Sequence, residues 1–420
     1  MKRLIYILPL LLALIISSCN KLHPVKRLTL SEKEEAINMR QNEFAIRLLQ
    51  KACESGEDNV FISPFCVSAV CSLWANEADS NSLTQVMNAL GVQDFTLEDI
   101  NAYYKLMFGK LPYIDKRSDV VLANALWVDD DAHIDAQFSR VANKYYNTKT
   151  NVIDLSNPKS AQKINKWASK KTHGLISQIV APGQFGEDAR NIFTSALYFN
   201  GIWEFPFEPS STTEETFTLS DGTTTTVSMM NKEEEEVAIT PTYEYDVIDD
   251  SLYLVADTAH PRYFDARMLC LPFKGAIVLF EDFYTLDIVL PREGLSCEEY
   301  LQSMTIEDLQ ELDDYVDCQE VAIGVPKFTI ENRHEFNNDL KALGMPDELL
   351  SFSELQQSTY FDMNEIGAKA AAATIIHTYG CTEYIFTPFI VDRPFLLFIR
   401  ECKYGTILFA GKIGNPTFTK

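Results

Sequence analysis

Apolar residues along this chain recur with two periods, and the switches between them mark its elements. Over Glu32–Gln50, Ile37, Phe44, Ile46, Leu48 and Leu49 form one side of a helix, with Ser31 placed to cap it and Glu34 three residues on. Asn59–Pro64 reads as a short strand ending in a turn, and Pro64 suits the start of a helix through Val67 to Trp74. Ser82–Leu90, closed by Gly91, is a further helix. The continuous apolar runs Val120–Val128 and Asn191–Asn200 predict central, buried strands, and Ser160–Thr172 carries Ile164 and Trp167 at helical spacing. Residues 214–300 read as β-rich, with runs at 223–227, 267–271, 276–280 and 286–290, and the acidic run Glu233–Glu236 among them reads as a solvated loop. Cys297–Leu312 predicts a helix, Glu320–Ile330 a strand with Pro326 near an edge, and Phe336–Leu343 a helix closed by Gly344. Phe395–Ile399 and Thr406–Ala410 form a closing pair of strands. Long strands with helices out of strict alternation indicate an α+β architecture.

One stretch fits neither period. From Asn364 to Cys381 the chain reads NEIGAKAAAATIIHTYGC, with four consecutive alanines and no aromatic or large aliphatic residue between Ile366 and Ile375. It has almost no apolar area to bury, so it cannot anchor itself in a core. Alanine favours helix, but Thr359–Met363 before it, and Thr374–Ile376 and Tyr384–Thr387 after it, read as strand or extended chain. A surface helix or an alanine-rich linker is one reading. A loop able to become a strand inside a crowded sheet is the other.

The first residues change the picture of where the protein works. Met-Lys-Arg, an apolar run from Leu4 to Ile16 and then Ser17-Ser18-Cys19 describe a secretory signal, too short for a membrane span of ~20 residues. Ile16–Cys19 also looks like a bacterial lipobox, with Cys19 as the lipidated first residue of the mature chain; an ordinary signal peptide that contains a cysteine is the alternative. Residues 1–18 are then signal and 19–30 a lipid-anchored tether, and the protein is expected in the bacterial cell envelope, in the periplasm or at the surface. Removing Lys2 and Arg3 leaves 34 basic against 60 acidic side chains, a charge of −26. That balance argues against nucleic-acid or heparin-like polyanion partners. The cysteines left after Cys19, namely Cys53, Cys66, Cys71, Cys270, Cys297, Cys318, Cys381 and Cys402, have no zinc spacing and no Cys-x-x-Cys, and Cys66 and Cys71 read as plain buried residues.

Enzyme chemistry finds little support. There is no Gly-x-Ser-x-Gly, His-Glu-x-x-His or phosphate loop, and none of His23, His133, His173, His260, His334 and His377 has a catalytic context. His173, at a helix end, is expected to meet the helix's last carbonyls. No catalytic residue, metal or cofactor is expected.

The alanine-rich stretch resembles the reactive-loop hinge of the serpins, the serine protease inhibitor superfamily. It is joined in family order by Asn59–Pro64, Ala123–Val128, Asn165–Trp167, Thr172–Ile176, Leu197–Phe207, Met229–Met230, Val325–Phe328, Leu343–Met345, Arg393–Phe395 and Ile407–Lys412, together covering residues 35–416. The resemblance implies one large domain, residues 31–420, with three β-sheets, eight or nine helices and an exposed reactive loop, monomeric and not an enzyme. It implies a suicide inhibitor: a serine protease cuts the loop, is held as an acyl-enzyme, and is carried along as the loop inserts into the central sheet. A non-inhibitory serpin, acting as a binding or chaperone-like module, is the alternative.

The residues suit insertion. Strand alternation puts Ala368, Ala370, Ala372 and Thr374 on one face and Lys369, Ala371 and Ala373 on the other, so the inward set is small. Glu365 opens the hinge and Gly367 gives it backbone freedom. Counting from Glu365 puts the reactive bond at Cys381–Thr382; counting back from Pro394 puts it at Glu383–Tyr384. Cys381 suits an elastase-like protease, Tyr379 or Tyr384 a chymotrypsin-like one, and papain-like targets stay open; a loop thiol with no role in specificity is the other reading of Cys381. Three positions depart from the family. Beneath the central sheet the usual serine, asparagine and histidine appear as Cys66, Ser195 and Gln357, while Trp203 keeps its place at the sheet's top.

Overall fold

The computed structural model describes residues 25–115, 117–132, 134–185, 190–239, 244–248, 251–255, 265–273, 283–314, 317–367 and 388–417. Helix α1 (Glu32–Cys53) opens with a full capping box between Ser31 and Glu34 and leads into β1 (Asn59–Ile62). Helices α2 (Pro64–Trp74), α3 (Ser80–Leu90) and α4 (Leu97–Lys110) follow, then β2 (Asp119–Asp129), α5 (Ala136–Tyr146), β3 (Lys149–Ile153), α6 (Pro158–Lys171) and β4 (Asn191–Asn200). Next come β5 (Thr212–Thr218), β6 (Thr224–Ile239), β7 (Glu244–Ile248), β8 (Ser251–Val255), β9 (Ala266–Pro272) and β10 (Tyr284–Pro291). The chain continues through α7 (Cys297–Ser303), α8 (Ile306–Asp314), β11 (Asp317–Pro326), β12 (Phe328–Glu335), α9 (Asn337–Ala342), α10 (Asp347–Phe352) and β13 (Ser353–Met363). It closes with β14 (Phe389–Ile390), β15 (Phe395–Glu401) and β16 (Thr406–Ile413). Among the described residues no helix is long and apolar enough to cross a membrane.

The α+β expectation holds, with three sheets. A five-stranded sheet has the order β12-β13-β4-β2-β3; a nine-stranded one runs β1-β16-β15-β10-β9-β6-β11-β14 with β5 on β6; β7 and β8 form a hairpin. Helix α2 is apolar all round and buried over its whole length, as a helix enclosed by other elements must be. It packs against β2 and β16, and its Trp74 meets Phe193 of β4 edge-on at 5.4 Å. Phe61 of β1 joins the layers, lying 5.4 Å from Phe361 of β13 and stacked 5.3 Å from Phe409 of β16.

Several elements differ from the sequence reading. Glu233–Glu236 lies within β6 rather than in a loop, because its backbone pairs with β11, Glu236 opposite Glu320. Cys297–Leu312 is two helices, broken at Met304–Thr305, where the Asp308 carboxylate accepts both the Thr305 N–H and its hydroxyl and so starts α8 afresh. Pro326, which has no N–H to give a ladder, ends β11, and β12 begins two residues later. The expected tether is docked over its last residues. Leu28 and Leu30 are buried, Lys26 N–H donates to Tyr113 O at 2.8 Å and Leu30 N–H to the Tyr404 hydroxyl, so the packed body starts near Lys26 rather than Ser31. The run at 276–280 lies outside the described residues.

Candidate functional site

Strands β13 and β4 run parallel and are bonded to each other from Ser353 opposite Asn191 to Tyr360 opposite Tyr198, so no strand lies between them there. Above Tyr360 the seam divides. Phe361, Asp362 and Met363 pair only with β12, and Phe199 and Asn200 only with β2. At this split the chain leaves β13 in a tight turn, in which Asn364 and Gly367 exchange both backbone hydrogen bonds at 3.2 Å.

Trp203 holds that turn. Its indole lies nearly parallel to Phe273 with centroids 4.5 Å apart, its Nε1–H donates to Asn364 O at 2.9 Å, and its backbone N–H donates to Ile366 O at 2.9 Å. Phe207 N–H takes the Glu365 carbonyl at 2.7 Å. The Glu365 carboxylate meets Lys327 Nζ at 2.9 Å and accepts from the Thr212 hydroxyl at 3.1 Å. Burial works to raise this carboxyl, but a backbone hydrogen bond, Lys327 and Thr212 outweigh it and hold it below its ordinary value. Gly367 has φ +143°, and a Cβ there would lie 2.2 Å from Gly201 O and 2.7 Å from Ile202 Cα, so only glycine fits.

Beneath the sheet, three residues stand side by side across three strands: Gln357 on β13 opposite Ser195 on β4, and Ser195 opposite Asn124 on β2. All are buried. The Ser195 hydroxyl donates to Asn124 Oδ1 at 2.7 Å. Gln357 clasps Ser63, the residue before α2: its Oε1 accepts the Ser63 N–H at 2.6 Å and its Nε2 donates to Ser63 O at 3.1 Å. Ser63 gives its own hydroxyl to Leu408 O on β16 at 2.6 Å instead of capping α2, and Thr359 donates to Phe61 O at 2.6 Å. Burial pushes the Cys66 thiol up to about 12 against hydrogen bonds with Ser63 and Asn124, so it stays neutral at physiological pH. The altered positions therefore give two bonded pairs, Gln357 with Ser63 and Ser195 with Asn124, with Cys66 buried three residues past Ser63 in α2.

The structure brings Cys66, Ser195 and Gln357 together beneath the sheet and places Trp203 and Glu365 at the split above them. Ser63, Asn124, Thr359, Lys327 and Thr212 belong to the site too, and the sequence reading assigned them no part in it. Asn124 does leave a trace, a polar residue between alanines inside an apolar strand. The hinge residues Ala368, Ala370, Ala371, Ala372, Ala373 and Thr374, the bond Cys381–Thr382, and Tyr379, Glu383 and Tyr384 lie outside the described residues, as does Cys19. His173 meets Asp119 at 3.1 Å rather than helix carbonyls. Asp129, Asp130 and Asp131 bring three carboxylates within 4.8 Å, but both Asp129 oxygens are already engaged, by Asp131 N–H and Leu155 N–H.

Comparison with known proteins matches this arrangement to one family. Residues 39–416 match the family described as Serpin (serine protease inhibitor). An uncharacterized serpin-like protein of Methanosarcina acetivorans is 28% identical over 411 residues, covering 93% of this chain and 88% of its own. Among solved structures, the thermophilic serpin tengpin in its native state superposes with a TM-score of 0.77 at 24% identity, over 93% of this chain and 96% of its own. Human thyroxine-binding globulin with bound thyroxine superposes with a TM-score of 0.76 at 21% identity, over 91% and 99%.

Proposed function

The chain belongs to the serpin family, whose members are non-enzymatic inhibitors or binders, and we propose that this one is a suicide inhibitor of serine proteases. The observation that carries the reading is the split seam: β13 and β4 part above Tyr360, and the hinge turn sits at the parting. Eight paired positions make the seam ~26 Å long at ~3.3 Å per residue, and the fourteen residues from Ala368 to Cys381 reach ~46 Å when extended. A strand entering there passes small residues inward: Ala368, Ala370, Ala372 and Thr374.

The protease serine attacks the Cys381 carbonyl, the Cys381–Thr382 bond breaks, and the Thr382 amine leaves. The acyl-enzyme then travels with the inserting strand. The small residue before the cut suits an elastase-like target; Tyr379 or Tyr384 would suit a chymotrypsin-like one, and papain-like proteases are a further class to test. The lipobox-like Ile16–Cys19 supports lipidation at Cys19 and a place in the bacterial cell envelope; loss of membrane partition in Cys19→Ser tests it. The altered cluster at Cys66, Ser195 and Gln357 favours a second reading, a binding module whose loop no longer inserts.

Residues 20–420 should be incubated separately with neutrophil elastase, chymotrypsin, trypsin, subtilisin and papain. A denaturant-resistant band at the summed mass, with a released peptide beginning at Thr382, is the expected result. Loop cleavage with no such band and no gain in thermal stability selects the binding module.

A further inference from the structure

Cys53 is the last residue of α1 and Cys297 the first of α7. Both are free thiols in the apolar core, 8% and 3% exposed. The two helices lock together one turn away, where Gln50 Nε2 donates to Leu301 O at 2.8 Å and to Met304 O at 2.9 Å. Cys53 lies one turn on from Gln50 and Cys297 one turn back from Leu301, so each sits on the side of its helix that makes this contact. The two runs converge on Lys412. Its side chain is 4% exposed and pairs with Glu298 at 2.9 Å, and the charges of Lys412 and Glu298 act on both thiols, as that of Cys53 acts on Cys297.

Other pairings are held apart by the fold. Cys66 and Cys71, five residues apart on α2, point about 140° away from each other. Cys318 and Cys270 are level but have Ala238 of β6 between them, which puts them about 9.6 Å apart, beyond the ~7 Å that a disulfide spans between Cα atoms. Cys270 is level with Asp287 and Phe398, and Cys402 follows Phe398 by four residues, roughly 13 Å along the strand.

We propose that Cys53 and Cys297 form a disulfide that staples the end of α1 to the start of α7 when the chain folds in the presence of a disulfide oxidant. The thiolate of one cysteine attacks the oxidant's S–S bond and displaces one of its halves as a thiol. The other cysteine's thiolate then attacks the mixed disulfide and displaces the second half. Two cysteine thiols are oxidised, one disulfide of the oxidant is reduced to two thiols, and the two cysteine protons end on those thiols. Timing follows from burial. Burial pushes Cys53 up to about 12 and Cys297 well above its ordinary value, against the pull of Lys412, so the folded pair holds almost no thiolate. The bond therefore forms during folding, before the core closes, and is shielded from reductant afterwards. It closes a loop of about 240 residues, and a long loop is where a cross-link restricts the unfolded chain most. Only the cellular setting rests on the export reading proposed above.

Residues 20–420, denatured and fully reduced, should be refolded in buffer with an excess of oxidised glutathione and digested without reductant. The expected result is a Cys53–Cys297 linked peptide, lighter by two hydrogens than its two halves together. The oxidised chain should melt about 3–5 °C above the same chain refolded under reductant, and the difference should vanish in Cys53→Ala and in Cys297→Ala. Peptide mapping uses the unaltered chain, so it stands even if a variant misfolds. Recovery of Cys53 and Cys297 as free thiols, or their linkage to other cysteines, overturns the proposal. A bond that forms on refolding but is missing from the chain isolated from cells supports the pairing and overturns the export reading instead.

Discussion

Gln357→Ala is the sharpest test of the network beneath the sheet. The substitution removes the acceptor of the Ser63 N–H and the donor to the Ser63 carbonyl, in a site where Ser63 is 0% and Gln357 1% exposed. A buried polar group left unsatisfied costs about 1–3 kcal/mol, and a water entering the space the amide vacates recovers part of that, so the loss should be about 2–4 kcal/mol. Equilibrium denaturation would read this as a lower midpoint at unchanged slope. If β13 shifts against Ser63 as it parts from β4, the same bonds break with it. If they are gone in the opening transition state, then at ~1.4 kcal/mol per tenfold the variant should convert to an inserted or polymeric form roughly 30- to 700-fold faster. Native gels sampled during incubation at 37 °C measure that rate. A midpoint within about 0.5 kcal/mol of the parent and an unchanged conversion rate would refute the idea that the Gln357–Ser63 clasp locks the sheet.

Three other perturbations follow from the same geometry. Gly367→Ala forces a Cβ into Gly201 O at a backbone angle side chains avoid, so the turn should release; proteolysis near Ile366 should accelerate, and native stability should fall by about 1–3 kcal/mol. Glu365 has a depressed pKa, so its contribution is present above the ordinary value of 4.5 and is lost as pH falls through the lower folded value; the parent's melting temperature should drop over that window more than that of Glu365→Gln. Asp287→Asn removes a carboxylate from Arg400, a fully buried cation whose burial is outweighed by Asp287 and Asp313, with Asp313 at 3.0 Å; urea denaturation should show about 3–5 kcal/mol lost, and Asp287→Leu with Arg400→Met should lose less.

What the sequence made legible was whatever one local rule decides. The Ser31–Glu34 capping box, Pro64 at a helix start and the apolar runs of β2 and β4 each act within a few residues, and each appears in the structure as expected. The misses divide by cause. Helix α4 carries its own capping box, Thr96 with Asp99, and α5 an Asp135 cap and a left-handed Asn147 stop, so both were readable and went unread. The acidic end of β6 was not readable, because its strand character comes from β11, about 80 residues away, and four glutamates carry no β preference of their own. The site falls between these cases. Gln357, Ser195 and Cys66 were named only through family order, since nothing in their neighbourhoods says that registers on β13, β4 and β2 bring them abreast. Ser63 reads locally as an N-cap, yet its hydroxyl goes to Leu408, nearly 350 residues on.

Sheet direction supplies the reason such a lock is needed. In the five-stranded sheet β13 is antiparallel to β12, and β4 antiparallel to β2, but β13 and β4 run parallel. The hinge turn reverses the chain at the top of β13, so a strand entering the seam from that turn runs antiparallel to both neighbours. On the proposed mechanism, insertion would exchange one parallel ladder for two antiparallel ones, the slightly stronger pairing per residue. On that mechanism entry would be obstructed at two levels: the Trp203–Phe273 stack and the Glu365–Lys327 pair hold the turn at the top, and the Gln357–Ser63 clasp holds β13 below. These contacts belong to the uninserted form, so they act on the rate of opening rather than on its direction. Mutations there should change how long the native state lasts more than which state is finally more stable.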